Sequence, residues 1–220
     1  MLKVFYSFRD INNSTLKYEA SNDYTAVMND SPLGDVLGEI AVYDKILGEA
    51  KLMGYDVIGT AQIRRHLDLP TLSKTNDIVV DPNKVYHTWF WTNGTNAELW
   101  RRCHPQAAGL FDAACQVIIN KWPEYKNAVE TVYGTNLLFP HNMWVMSIDK
   151  FERYSQWLMF VLGSLNLPPE PSKVGSLLAE RLFTIWVMQN FAMKDQVWVP
   201  AKAYDKVTGK ELDGMNGVAD

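Results

Sequence analysis

Residues Gly38–Leu67 read GEIAVYDKILGEAKLMGYDVIGTAQIRRHL, and two hydrophobic periods meet inside that stretch. From Asp35 onward, Val36, Leu37, Ile40, Tyr43, Leu47 and Ala50 recur at helical spacing, while Asp44, Lys45, Glu49 and Lys51 occupy the other faces. Gly54 is placed to stop that helix. The apolar run from Asp56 to Ile63 then suits a strand covered on both faces. It ends in Arg64, Arg65 and His66, at the carboxyl end of what is expected to be a central strand. In open α/β sheets that end is where ligands bind.

Working outward, Lys3 to Phe8 reads as an opening strand, followed by the polar loop RDINNST. Beyond Pro70 a strand is possible over Asp77–Val80, and the aromatic run from Val85 to Trp91 is ambiguous. Asn96 is expected to cap a helix through Cys103. Pro105 to Trp122 reads as a second helix, and Pro123 opens a third that ends near Gly134. A short strand over Met143–Met146 is followed by Ser147 and Asp149, which start an aromatic helix reaching Leu165. The PPEPS segment is a rigid connector, Ser172 to Asn190 a long helix, and Val197–Val199 a last strand. The expected fold class is α/β: one domain over residues 1–205, with an N-terminal sheet and a helical C-terminal half, then a polar tail over residues 206–220.

Composition narrows the functional classes. With 220 residues, 47% hydrophobic, the chain can bury one substantial core. A formal net charge of -4 argues against a broadly basic nucleic-acid-binding surface, although a local basic cleft stays open. Cys103 and Cys115 fit neither a disulfide framework nor a zinc knuckle and read as buried thiols. The absence of a secretory or membrane-spanning apolar run leads to the expectation of a soluble, cytoplasmic protein. There is no Gly-X-Ser-X-Gly and no cysteine in a nucleophile motif, so serine or cysteine hydrolase chemistry has no support.

An isolated Arg-Arg pair more often salt-bridges an acid such as Asp68 than binds a ligand. The surroundings shift that balance, because Gly38-Glu39-Ile40, Asp56-Val57-Ile58-Gly59 and Gln62-Ile63-Arg64-Arg65 resemble three successive motifs of a family of capsular and exopolysaccharide glycosyltransferases. Two further blocks are similar to the same family: KWPEYKNAVETVYGTNLLFPHNMWVMSIDKFERYSQWL and GSLLAERLFTIWV. Order and spacing agree across about two thirds of the chain.

The resemblance implies a GT-A-like, Rossmann-like domain that binds a nucleotide sugar, UDP-linked for preference, in its N-terminal sheet. Its C-terminal half would shape the acceptor pocket. Many GT-A enzymes hold a divalent metal on an Asp-X-Asp at the end of the central strand. This chain has Gln62-Ile63-Arg64-Arg65 there, so no metal or other cofactor is expected, and Arg64 and Arg65 would neutralise the leaving diphosphate. The family's histidine is Gln62 here, and His66 is a candidate to compensate. The chain is also shorter than is usual for the family, which bears on the acceptor side.

Glu180 is the expected base, since acceptor activation needs a carboxylate near the attacking hydroxyl. The residue one turn on is Thr184, not a cation that would claim it as a helix ion pair. Glu39 could reach donor sugar hydroxyls or simply complement a helix dipole. Ser7 and Arg9 end the first strand, where base and ribose usually rest. His141 and Asn142 in HNMWVM, with Trp144, Trp89 and Trp91, are candidates for the sugar and acceptor pocket, whereas Trp157 and Trp186 read as core. Trp100-Arg101-Arg102 beside His104 is a possible clamp for a phosphate-bearing acceptor. The expected acceptor is a glycan or lipid-linked sugar. Two alternatives stay open: a bacteriophage-type enzyme glycosylating a hydroxylated DNA base, and a nucleotide-binding protein without catalysis.

Overall fold

In a computed structural model the described residues are 2–8, 24–61, 65–67, 69, 80–169 and 172–203. The expected loop after the first strand, residues 77–79 of the strand expected over Asp77–Val80 and the tail over 206–220 lie outside them; Val80 is described and is not in a strand. The sheet is built from strands β1 (Leu2–Phe8), β2 (Tyr24–Met28), β3 (Val57–Ala61), β5 (Val85–His87), β8 (Trp144–Ser147) and β9 (Gln196–Trp198), in the order β2-β1-β3-β8-β5-β9. β2, β1 and β3 are parallel, β8 runs against β3 and β5, and β9 is parallel to β5. The carboxyl ends of β1, β3, β5 and β9 therefore share one edge with the start of β8. Two short ribbons join the sheet's outskirts: β4 (Arg65–Leu67) with β10 (Ala201–Ala203), and β6 (Phe90–Trp91) with β7 (Leu137–Leu138).

β3 is buried at all five positions, as its apolar run requires. One face of the sheet meets the main core, in which Phe5, Ile58, Trp144 and Met146 pack with Tyr43, Phe151, Tyr154, Leu182 and Phe183. The other face, carrying Val4, Val57, Val145 and Tyr86, forms a smaller core with Leu67, Leu69 and Val199. Alternation along each strand assigns these residues to opposite faces. The aromatic run is thus resolved as strand: Val85–His87 pairs inside the sheet, and Phe90–Trp91 leaves it for the second ribbon.

The helical expectation over residues 35–53 needs correction. The segment is three pieces: α1 (Gly34–Leu37), a 3-10 turn over Gly38–Val42, and α2 (Tyr43–Met53), which Gly54 does end in a left-handed conformation. Gly38 causes the break. Its φ of 57° with ψ of -135° is a backbone state that side chains with a Cβ avoid. It also sits against the start of α7 (Val174–Asn190), so that a Cβ there would lie 2.9 Å from Ser176 Cβ. Gly175 completes the contact from the other side, where a Cβ would meet Leu37 Cδ2 at 2.8 Å. Two glycines that the helical period leaves unexplained thus dock α1 onto α7.

The middle third is helical with shorter pieces than expected. α3 (Asn96–Cys103) is capped by Thr95 in a capping box with Glu98, not by Asn96. Asn96 is wholly buried, and its side-chain amide donates to the carbonyls of Val132 and Leu137. Short 3-10 turns at Pro105–Ala107 and Pro123–Tyr125 precede α4 (Leu110–Lys121) and α5 (Lys126–Gly134). α6 (Ile148–Gly163) follows β8 directly. α6 packs on α2 and α7, and α7 on α5 and α1.

Gly59 is the tightest point of the sheet. A Cβ there would lie 2.5 Å from Val145 Cγ2 and 2.8 Å from the Trp144 carbonyl oxygen on the neighbouring strand. Backbone cannot step aside as a flexible side chain can, so Gly59→Ala is expected to cost about 2 kcal/mol. In a domain of this size that lowers Tm by roughly 6 °C. Thermal unfolding checks it, and an unchanged Tm would contradict the tight packing.

Candidate functional site

The start of β8 is a turn in which two consecutive non-glycine residues, His141 and Asn142, take positive φ values of 70° and 49°. Histidine and asparagine tolerate this better than most residues, but two in succession persist only where the surroundings hold them. Four bonds do so. The His141 amide donates to Glu180 Oε1 at 2.9 Å, and the Thr60 hydroxyl at the end of β3 donates to the Asn142 carbonyl at 2.6 Å. The Asn142 side-chain amide donates to Glu39 Oε1 at 3.0 Å and to the Ser176 carbonyl at 3.0 Å. Ser176 Oγ lies a further 3.1 Å from the same nitrogen.

This turn gathers Glu39 from the 3-10 segment and Glu180 from α7 at the edge where β3 ends. Each carboxylate is only partly buried. The Gly38–Ser176 and Gly175–Leu37 contacts fix Glu39, since they lock its segment against the helix that carries Ser176 and Glu180. Asn29 holds the same segment from behind, donating to the Gly38 carbonyl at 2.7 Å.

Beneath the turn lie two buried phenols. Burial raises the Tyr43 hydroxyl far above its ordinary range, and the Glu39 charge adds to this, while nearby Trp144 and Thr60 oppose it in part. Burial likewise raises Tyr154, with further contributions from Tyr43, Glu39 and Glu180. Both therefore stay neutral beside the two acids. Thr184, one turn beyond Glu180, donates its hydroxyl to the Glu180 backbone carbonyl and accepts the Phe139 amide. It ties the strand-to-turn segment to α7. Arg181 is 4% exposed, donates to the Leu177 carbonyl and lies 5.0 Å over the Trp100 ring.

The other expected residues divide clearly. Arg9 and Arg64 lie outside the described residues. Of Ser7, Arg65 and His66 the backbone is described: Ser7 in β1, Arg65 and His66 in β4, paired with Ala203 and Lys202 of β10. Trp144 needs reassignment from the acceptor pocket to the core. It is fully buried, in edge contact with Tyr43 and tilted against Phe151, and has no open face to offer. Trp89 is partly buried, Trp91 is exposed, and the Phe90 ring stands 6.5 Å from His141.

The Trp100-Arg101-Arg102 cluster is not an open clamp. Trp100 is buried and donates to the Ala107 carbonyl, Arg101 is engaged by Asp112 and the Tyr133 hydroxyl, and Arg102 donates to the Asn93 carbonyl. Among the described residues, no group of three or more His, Cys, Asp or Glu side chains stands at metal-binding spacing, and no helix is long and apolar enough to cross a membrane. A shallow open depression of about 490 Å³ between the start of α4 and the end of α6 is lined by none of the candidate residues. Ser176 and Thr60 are site residues that sequence reasoning missed; the glycines flanking them, Gly175 and Gly59, were the available signal.

His87, at the end of β5, is 3% exposed and packed 3.9 Å from the Phe139 ring. Burial pushes its pKa down to about 4, with the Thr88 carbonyl and Gln196 opposing. The folded value lies below the ordinary 6.5, so the unfolded chain binds the proton first as pH falls. This group's contribution is therefore intact above pH 6.5 and is lost progressively down to about 4. The loss approaches ~3 kcal/mol. Urea unfolding of wild type and His87→Phe between those limits should show a steeper acid decline in wild type; parallel curves would contradict it.

No curated protein matches the chain. Its fold is similar to that of a solved structure, the WbbM bifunctional glycosyltransferase in its apo state, with a TM-score of 0.69 at 16% sequence identity. The match covers 100% of this chain and 47% of that one, so the chain spans about half the length of that protein. The fold is therefore a mixed α/β arrangement of the kind found in a glycosyltransferase. A family model, described as Domain of unknown function (DUF4422), matches residues 51–191, which include β3, the His141–Asn142 turn and Glu180, and the chain belongs to that family.

Proposed function

We propose that the protein transfers a glycosyl group from a nucleotide-sugar donor to an acceptor hydroxyl on a glycan. The observation that carries this reading is the convergence of Glu39, Asn142 and Glu180 at the carboxyl end of β3, the ligand-binding edge of an α/β sheet. The likeness of fold to a glycosyltransferase supports it.

In this reading Glu180 accepts the proton of the attacking hydroxyl. The His141 amide orients that carboxylate. Glu39, oriented by Asn142, binds hydroxyls of the donor sugar. Arg64 and Arg65, which follow β3 in the sequence, take the diphosphate as negative charge grows on the leaving group, in GT-A-like fashion but with guanidinium groups in the place of a cation. In the sheet order β1 and β3 lie on one side of β8, and β5 and β9 on the other.

The test is release of nucleoside diphosphate from a panel of nucleotide sugars, with and without excess EDTA. The reading predicts turnover of at least one donor that survives chelation. Turnover abolished by EDTA and restored by Mn²⁺ would remove the diphosphate from the arginines. Transfer to hydroxymethylated DNA rather than to a glycan would change the acceptor and leave the donor chemistry standing.

A further inference from the structure

Among the described residues, the exposed large apolar side chains are Leu33, Leu52, Met53, Trp91, Phe160, Met193 and Trp198. Two of them share a partner. Trp91, 59% exposed, meets Trp89 edge-on at 5.4 Å and 76°, and Trp198, 51% exposed, lies 5.9 Å from the same Trp89 ring at 56°. The fold brings together Trp89 and Trp91, on the chain leaving β5 and in the ribbon strand β6, with Trp198, the last residue of β9 and more than a hundred residues further along the chain.

Its location is not arbitrary. β5 and β9 are parallel and both end at the edge that holds the His141–Asn142 turn. One row of register partners runs Thr60–Trp144–His87–Trp198 across the sheet. Directly paired residues share a face, so Trp198 ends on the free edge the row that contains Thr60, which holds the Asn142 carbonyl. Of the exposed aliphatics, Leu33 follows β2, the opposite outer strand of the sheet, Leu52 and Met53 end α2, which feeds the amino end of β3, and Met193 precedes the amino end of β9.

We propose that Trp89, Trp91 and Trp198 form a carbohydrate-binding shelf for the acceptor, at a subsite beyond the sugar being glycosylated; this rests on the glycosyl-transfer reading. An indole offers a flat apolar face with a polar N–H at its rim, which matches a sugar ring whose C–H groups line one face and whose hydroxyls ring its edge. The shelf stands on the β5/β9 flank, across β8 from β3. His141 and Phe90 lie between it and Glu180, so a ring stacked on the indoles is a neighbour of the reacting one, and the acceptor has at least two sugar residues.

The experiment titrates wild type, Trp91→Ala, Trp198→Ala and Trp198→Phe with di- and trisaccharides of glucose, galactose, mannose and rhamnose, read by saturation-transfer NMR. POPC/POPG vesicles and a hydroxymethylcytosine duplex serve as competing probes. Both tryptophans are exposed, and unchanged melting temperatures verify that the variants fold. The proposal expects at least one saccharide to bind, roughly tenfold weaker in each alanine variant and restored largely in Trp198→Phe. No saccharide binding, binding indifferent to both alanine substitutions, or binding only to vesicles or duplex overturns it. Nucleoside diphosphate release by wild type is scored separately: its absence with tryptophan-dependent saccharide binding removes the transfer reading and keeps the shelf, and the converse removes the shelf alone.

Discussion

Glu180→Gln is expected to lower nucleoside diphosphate release in the presence of acceptor by roughly a hundredfold or more, with Tm unchanged. The isosteric amide can still accept the His141 amide through its oxygen, so the turn with two left-handed residues keeps its support. What disappears is the basic oxygen. The loss should fall on kcat with little change in the KM for donor, because the reading assigns Glu180 to the acceptor's proton and not to donor binding. A Glu180→Gln protein with wild-type turnover would take the base away from this helix. A protein that has lost several degrees of Tm would make Glu180 a structural anchor for the turn.

Asn142 is expected to show the largest stability effect of the site residues. Its side-chain amide serves Glu39 and Ser176, and its backbone sits at φ 49° while its carbonyl accepts Thr60. Asn142→Ala removes the side-chain donor from a 1% exposed position and places a Cβ-only residue in the left-handed region. About 3 kcal/mol of stability should go with it. Asn142→Asp should be worse, since it sets a second carboxylate against Glu39 and against the Ser176 carbonyl, both acceptors. Urea unfolding ranks the three proteins, and the order expected is wild type, Ala, Asp. If Asp proved the more stable variant, the Asn142 side chain would have to be turned with its oxygen toward different neighbours.

The sequence carried the large features because they rest on simple periods. The apolar run of β3 could not be anything but a covered strand, and the spacing in α2, α6 and α7 needed only a core to face. What it did not carry were contacts that depend on one atom. Gly38 and Gly175 look like ordinary residues of helical segments until α1 meets α7, and only then does each turn out to occupy a place closed to a Cβ. Asn96 reads as a cap because asparagine often is one, but two distant carbonyls claim its amide and Thr95 takes the role.

The site was legible in the same uneven way. Glu39, Asn142 and Glu180 were each suspected singly, on the strength of the blocks that contain them. That they meet depends on a turn whose two positive φ values no hydrophobic pattern encodes. Trp144 was placed with the exposed tryptophans because it stands beside polar residues at a strand start. In the sheet its ring faces the main core, packed against Tyr43, Phe151 and Phe183, and has no route to the surface. Trp198, at the free edge two strands away, holds the exposed position instead.

Arg64 and Arg65 are proposed to hold the diphosphate of an activated sugar. Isothermal titration of UDP in EDTA, into wild type and into the Arg64→Ala/Arg65→Ala double variant, tests it most directly. The account predicts binding by wild type without metal and at least roughly thirtyfold weaker binding by the variant, as expected from losing charge-assisted bonds to phosphate. Equal affinity in the two proteins would contradict it.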